Sequence, residues 1–264
     1  MKDKLFLILG IFLLCGCSNY SKKENLTTPQ MTYSLTNIHM HDSTAFTEGL
    51  FFFNNKIYES TGSPEDFSNT GSVFGSIDLK KGVLNKIIEL DKTKYFGEGS
   101  VVLNGKVFLL TYTSKIGFVY DFSTLEKVAE FKLPGKEGWG LTTDGIHLIM
   151  SDGSSRLWFI DPNTFEIVRQ IDVTDGKGPV LNINELELAH GAIYANVFLT
   201  NKVIKIDSSS GKVIGEIDLD PLAQDAKIAY PGSMEMNGIA YDEQTDRFVV
   251  TGKMWPYLYE IRIK

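Results

Sequence analysis

Phe118-Val119-Tyr120-Asp121-Phe122-Ser123-Thr124-Leu125-Glu126-Lys127-Val128-Ala129-Glu130-Phe131 is the stretch that decides the fold. A short apolar run ends in Asp, a polar turn follows, and a second strand-like run starts at Glu126. The same shape recurs at Gly75-Ser76-Ile77-Asp78-Leu79, at Trp158-Phe159-Ile160-Asp161-Pro162 and at Val203-Ile204-Lys205-Ile206-Asp207. The later copies turn at Thr164 and Gly211 before new runs over 166–173 and 212–219. Asp78, Asp121, Asp161 and Asp207 are separated by 43, 40 and 46 residues. Short strands repeating at that period predict a propeller with one four-stranded sheet per repeat.

Outward from these phrases, a second pattern opens each repeat. It reads Thr47-Glu48-Gly49-Leu50, Gly97-Glu98-Gly99-Ser100, Gly138-Trp139-Gly140-Leu141, Asn184-Glu185-Leu186-Glu187 and Met236-Asn237-Gly238-Ile239. A strand, a tight turn and a second strand follow each opening, with turns at Asn54-Asn55, Asn104-Gly105, Asp144-Gly145, His190-Gly191 and 242–246. Five openings predict five blades. The last repeat runs out after three strands, whereas residues 32–39 alternate ahead of the first opening. Those residues are expected to supply the missing strand and close the ring, which removes two free sheet edges. The expected fold is an all-β five-bladed β-propeller over 32–264, with no helix beyond one turn at 221–227.

Composition agrees. Of 264 residues, 43% are hydrophobic and 22% charged, which excludes a disordered chain. Many glycines and aromatics (24 Gly, 17 Phe, 11 Tyr) favour strands over helices. A net charge of −7, with no basic cluster after the N-terminus, excludes a nucleic-acid footprint.

The N-terminus reads as an address. Lys2 and Lys4 precede an apolar run over 5–14 that is too short to span a bilayer. The run ends Leu14-Cys15-Gly16-Cys17-Ser18, which matches the bacterial lipobox pattern. A lipoprotein signal over 1–16, lipid attachment at Cys17 and a polar tether over 17–31 are expected. The expected location is the bacterial cell envelope, membrane-anchored and facing the periplasm. Both cysteines lie in this segment, so the body has neither a disulfide nor a cysteine nucleophile.

In a propeller the innermost strands line a channel, so equivalent positions form a ring. The openings would gather Glu48, Glu98, Trp139, Glu185 and Asn237 at one mouth. Three carboxylates are expected to converge there with Phe46, Phe96, Tyr112, Trp139, Phe198 and Trp255. Carboxylates in an aromatic cup should bind protons more tightly than usual, which suits acid/base work near neutral pH. The same acids could instead serve the fold by capping strands, and the spacing leaves both uses open. Among the histidines, His147 is expected in a strand and His190 in a turn. A surface strand accounts for His39 and His41. Asp152-Gly153-Ser154-Ser155 reads as a tight turn rather than a calcium loop.

At these residues the chain resembles the plant and bacterial glutaminyl-peptide cyclotransferase family of five-bladed propellers. The carrying motifs, in order, are Ala45-Phe46-Thr47-Glu48-Gly49-Leu50, Phe96-Gly97-Glu98-Gly99, Glu137-Gly138-Trp139-Gly140-Leu141 and Met150-Ser151-Asp152-Gly153-Ser154. Asn184-Glu185-Leu186-Glu187, Tyr194-Ala195-Asn196-Val197, Asn237-Gly238-Ile239-Ala240-Tyr241-Asp242 and Thr251-Gly252-Lys253-Met254-Trp255-Pro256 continue the series.

The resemblance implies cyclisation of an N-terminal glutamine to pyroglutamate, with loss of ammonia and without metal or other cofactor. It implies Glu98 as general acid/base, and Lys253 and Asn184 as holders of the amide oxygen or the peptide backbone. Glu48 would lie near the substrate amine, with Phe46, Phe96, Tyr112, Trp139 and Phe198 as walls. Tyr112 and Phe198 stand where family members often carry Trp, and Glu48 where some carry Gln. The implied partners are a peptide or protein with an N-terminal Gln and a membrane reached through lipid, and the expected state is a monomer. A non-catalytic peptide- or glycan-binding propeller is the alternative. A sugar-lactone hydrolase is a third reading that the aromatic cup disfavours.

Overall fold

Five four-stranded antiparallel sheets follow one another along the chain in the computed structural model, which describes residues 27–264. The expected signal over 1–16 and Cys17 lie outside the described residues, as does most of the expected tether. Blade 1 comprises Thr47–Phe53, Lys56–Thr61, Val73–Asp78 and Val83–Glu89. Blade 2 comprises Gly97–Leu103, Lys106–Thr111, Ile116–Asp121 and Lys127–Lys132. Blade 3 is Leu141–Thr143, Leu148–Ser151, Arg156–Ile160 and Ile167–Asp172, and blade 4 is Ile183–Ala189, Ala192–Val197, Lys202–Asp207 and Val213–Asp218. Blade 5 takes Met236–Asp242, Arg247–Gly252 and Tyr257–Ile263, and is completed on its outer edge by Tyr33–Met40. The closing strand pairs Tyr33 with Ile263 and Met40 with Tyr257, one residue along from the expected segment.

The repeated aspartates have a local physical reason. Each ends a third strand and turns its carboxylate onto the amides ahead. Asp121 accepts from the amides of Ser123 and Thr124, and Asp161 from those of Asn163 and Thr164. Asp78 and Asp207 do the same. These turns dictate the hairpin wherever the residue type occurs, which is why the period was readable. Between blades, apolar faces stack: Val101, Phe108, Leu110, Leu141, Leu148 and Met150 join blades 2 and 3 in one buried cluster.

Four features depart from expectation. Asp220–Ala229 forms a ten-residue helix, with Pro221 in its first turn and Leu222 and Ala226 buried, where one turn was expected. A two-stranded hairpin, Thr174–Asp175 with Gly178–Pro179, is inserted between blades 3 and 4. His147 lies just before the strand Leu148–Ser151 rather than in it. At the end of the expected tether, Glu216 of blade 4 bonds the carbonyl of Pro29 through its amide and accepts the amide of Met31 on its own carbonyl.

Candidate active site

The inner strands do more than line the channel. In four of the five, the pairing register slips at the opening phrase: between Thr47 and Gly49, Gly97 and Ser100, Ile183 and Leu186, and Met236 and Ile239. The skipped residues are Glu48, Glu98 with Gly99, Asn184 with Glu185, and Asn237 with Gly238. A bulge re-aims its side chains away from the alternation of the strand. Here it brings Glu48, Glu98 and Asn184 to one mouth of the channel. Gly99 is required at its bulge, because a Cβ there would strike the backbone of Trp139–Leu141 on the neighbouring inner strand. Gly153, at φ +75°, packs so close to Trp139 that a Cβ there would strike the indole.

A cavity of about 250 Å³ opens at this mouth. All nine residues that the resemblance assigned to the site line it: Phe46, Glu48, Phe96, Glu98, Tyr112, Trp139, Asn184, Phe198 and Lys253. Pro64 is the lining residue that the sequence reading missed. The aromatic wall has two parts, Phe46 edge-on to Phe96 with Phe96 against Tyr112, and Trp139 edge-on to Phe198.

Two residues of the expected ring belong elsewhere. Glu185 turns its carboxylate away from the cavity, onto the amides of Leu50 (3.2 Å) and Ile239 (2.8 Å). It joins the inner strands of blades 1, 4 and 5. Trp255 is fully buried in the core and donates its indole N–H to the Met234 carbonyl. It anchors the segment that carries Lys253 in the core. His41 is not on a surface strand; its side chain is fully buried against Glu59.

The charged centre comprises three side chains. Lys253 Nζ lies 2.7 Å from Glu48 Oε1, and Asn237 donates to Glu48 Oε2 at 3.1 Å. The ammonium also sits 4.5 Å from the centre of the Phe46 ring and 5.5 Å from that of Phe198. The Glu98 carboxyl, 5% exposed, has no hydrogen-bond partner among the described residues. Burial, then the charge of Glu48, raises its pKa well above the usual carboxylate range. Burial also lifts Glu48, and Lys253 pulls it back to about 7. Burial draws Lys253 down, but Glu48 and Glu98 more than offset this and hold the ammonium above an ordinary lysine.

Asn184 adds an acceptor. Its Oδ1 is buried without a partner among the described residues, on a side chain that lines the cavity. An orphan of this kind is costly unless a ligand donor or a water meets it. Glu137 was quoted in a motif but given no role. Its carboxylate accepts the Trp139 indole N–H at 2.9 Å and, with Tyr112, fixes this part of the wall. The arrangement can hold a neutral acid beside a carboxylate–ammonium pair inside an apolar cup.

A family model described as Glutamine cyclotransferase matches residues 8–263. A glutaminyl-peptide cyclotransferase of Arabidopsis thaliana is 38% identical over 226 residues, covering 85% of this chain and 69% of the plant protein. A crystal structure of Myxococcus xanthus glutaminyl cyclase superposes with a TM-score of 0.81 at 30% identity, covering 90% of this chain and 99% of that one.

Proposed function

The chain belongs to the glutamine cyclotransferase family and is an enzyme of that class, and from this premise we propose that it cyclises N-terminal glutamine by general acid/base catalysis at the channel mouth. The observation that carries this reading is Glu98: a buried carboxyl, without a hydrogen-bond partner among the described residues, opening into an aromatic cavity beside Lys253. The substrate amine attacks the Cδ of its own side-chain amide. The new C–N bond leaves the amine nitrogen with a surplus proton and the amide oxygen with negative charge. Glu98, protonated at rest, gives its proton to the departing amide nitrogen, and ammonia leaves. The resulting carboxylate then takes the surplus proton from the ring nitrogen, which restores the starting state.

Lys253 has protons beyond the one engaged by Glu48, and these stabilise the developing oxyanion. Asn184 Oδ1 accepts an N–H of the bound glutamine. The aromatic walls exclude water and hold the side chain curled, and in an intramolecular reaction this orientation supplies much of the rate. A Gln-initiated peptide incubated with the protein, with and without a chelator, should lose ammonia and gain a blocked N-terminus in both arms, as read by mass spectrometry. A peptide bound but returned unchanged would favour a non-catalytic binding propeller.

We also propose that the chain is a membrane-anchored lipoprotein of the bacterial envelope, on the reading of Leu14–Cys17. Cys17→Ala should leave the membrane fraction; unchanged partitioning in high salt would contradict the anchor. No helix among the described residues is long and apolar enough to cross a membrane.

A further inference from the structure

Linked to Thr47 on the inner strand of blade 1 is a buried polar group that the reaction as described does not use. His41 follows directly on the ring-closing strand Tyr33–Met40, and its side chain and that of Glu59 are both 0% exposed. His41 Nε2 lies 3.1 Å from Glu59 Oε2, and its Nδ1 donates to the carbonyl of Trp255 at 2.9 Å. Its backbone amide donates to the Pro256 carbonyl at 2.8 Å. Glu59 is anchored in turn by the hydroxyl of Thr47, at 2.7 Å, next to Glu48.

The segment held in this way connects two strands of blade 5 and carries Lys253. Its other holds are the buried Trp255, whose indole donates to the Met234 carbonyl, the Met234 amide on the Lys253 carbonyl, and two further backbone bonds. The Lys253 amide donates to the Glu235 carbonyl and the Met254 amide to that of Ala45. Met254 sits at φ +59°, a conformation unfavourable for its residue type, so the segment must be fixed by its surroundings. The imidazole bonds this segment through Nδ1 and the buried Glu59 through Nε2, so it ties the segment to blade 1.

We propose that His41 is a positioning residue for Lys253: by bonding the Trp255 carbonyl it fixes the segment that aims the ammonium at Glu48 and into the cavity. The catalytic part of this inference rests on the cyclotransferase reading; the clamp itself does not. Two substitutions separate its bonds. His41→Gln places an N–H where Nε2 was and keeps the Glu59 contact, but loses the Trp255 carbonyl. His41→Asn places an N–H where Nδ1 was and keeps that carbonyl, but leaves Glu59 short of a partner.

For His41→Gln the expected result is a kcat lower by about 10–100-fold, KM changed by less than about 3-fold, and a melting temperature close to that of the wild type. His41→Asn should show the reverse, with a clear loss of melting temperature and a kcat near that of the wild type at a temperature where it is folded. Hydrogen exchange gives a readout independent of turnover. In His41→Gln the amides of Lys253 and Met254 should exchange faster, while those of Phe108 and Leu109 in blade 2 keep their protection. A kcat that follows melting temperature in both variants, or exchange that rises evenly over all blades, would overturn the proposal. An inactive wild type would defeat the cyclotransferase reading, and the exchange data would still decide whether His41 clamps this segment.

Discussion

Glu185 and Glu187, two residues apart on the inner strand of blade 4, show how the same side chain serves the channel in different ways. Both oxygens of Glu185 accept backbone amides. Glu187 accepts the amide of Tyr241 on one oxygen and faces the Thr142 hydroxyl, 3.5 Å away, with the other. A hydroxyl can reverse its role, whereas an amide cannot. Glu187→Gln should therefore fold normally, whereas Glu185→Gln turns an –NH₂ onto a backbone N–H and should melt several degrees lower.

The two also predict a pH dependence. Burial lifts Glu187 to about 8 from an ordinary value near 4.5. A carboxyl raised in the folded state gives stability that is fully present below its unfolded pKa and is lost as pH rises through the folded one. The melting temperature should fall between about pH 5 and 8, and Glu187→Gln should shallow that slope. Equal slopes in the variant and the wild type, measured by thermal melts across this range, would contradict the assignment.

At the scale of strands, the turns made the fold legible and the bulges decided what was hidden. Aspartate turns act within four residues and gave the period, the five opening phrases gave the blade count, and the three-strand last repeat gave the closing strand, all without tertiary information. Seven of the nine cavity residues were legible because they lie at or beside repeated phrases; Asn184 and Lys253 were implied as site residues by the family resemblance. The direction of a side chain within a bulge was not legible. Asn184 and Glu185 are adjacent in the same slip of register, yet one lines the cavity and the other clamps the inner strands. Trp255 was misplaced for a similar reason: Met254, with positive φ, reverses the chain after Lys253 and sends the indole into the core. The helix offered a weak signal, since Leu222 and Ala226 are its only buried residues.

The closing strand carries the clearest prediction at this scale. It covers the full length of Tyr257–Ile263, and Thr36 and His39 hold Glu260 from the same side. Deleting residues 33–40 exposes a long, partly apolar edge, and the product should aggregate or melt well below the parent in paired size-exclusion and thermal measurements. An unchanged monodisperse profile and melting temperature would argue that closure adds little.

Across the whole molecule, the ring makes one site out of residues far apart in the chain. Phe46 and Glu48 come from blade 1, Glu98 from blade 2, Trp139 from blade 3, Asn184 from blade 4 and Lys253 from blade 5. No blade contains the chemistry alone, so holding these groups in place depends on the inner strands packing closely around the axis. Glu185 contributes by bridging blades 1, 4 and 5. On the proposed mechanism this convergence makes Glu98 the proton carrier for cyclisation. Glu98→Gln keeps the shape of the side chain and removes its ability to carry a proton. With a Gln-initiated peptide, and with the fold confirmed intact, kcat for pyroglutamate formation should fall by about 10²–10⁴-fold while peptide binding changes little. A Glu98→Gln enzyme that turns over at the wild-type rate would contradict the account.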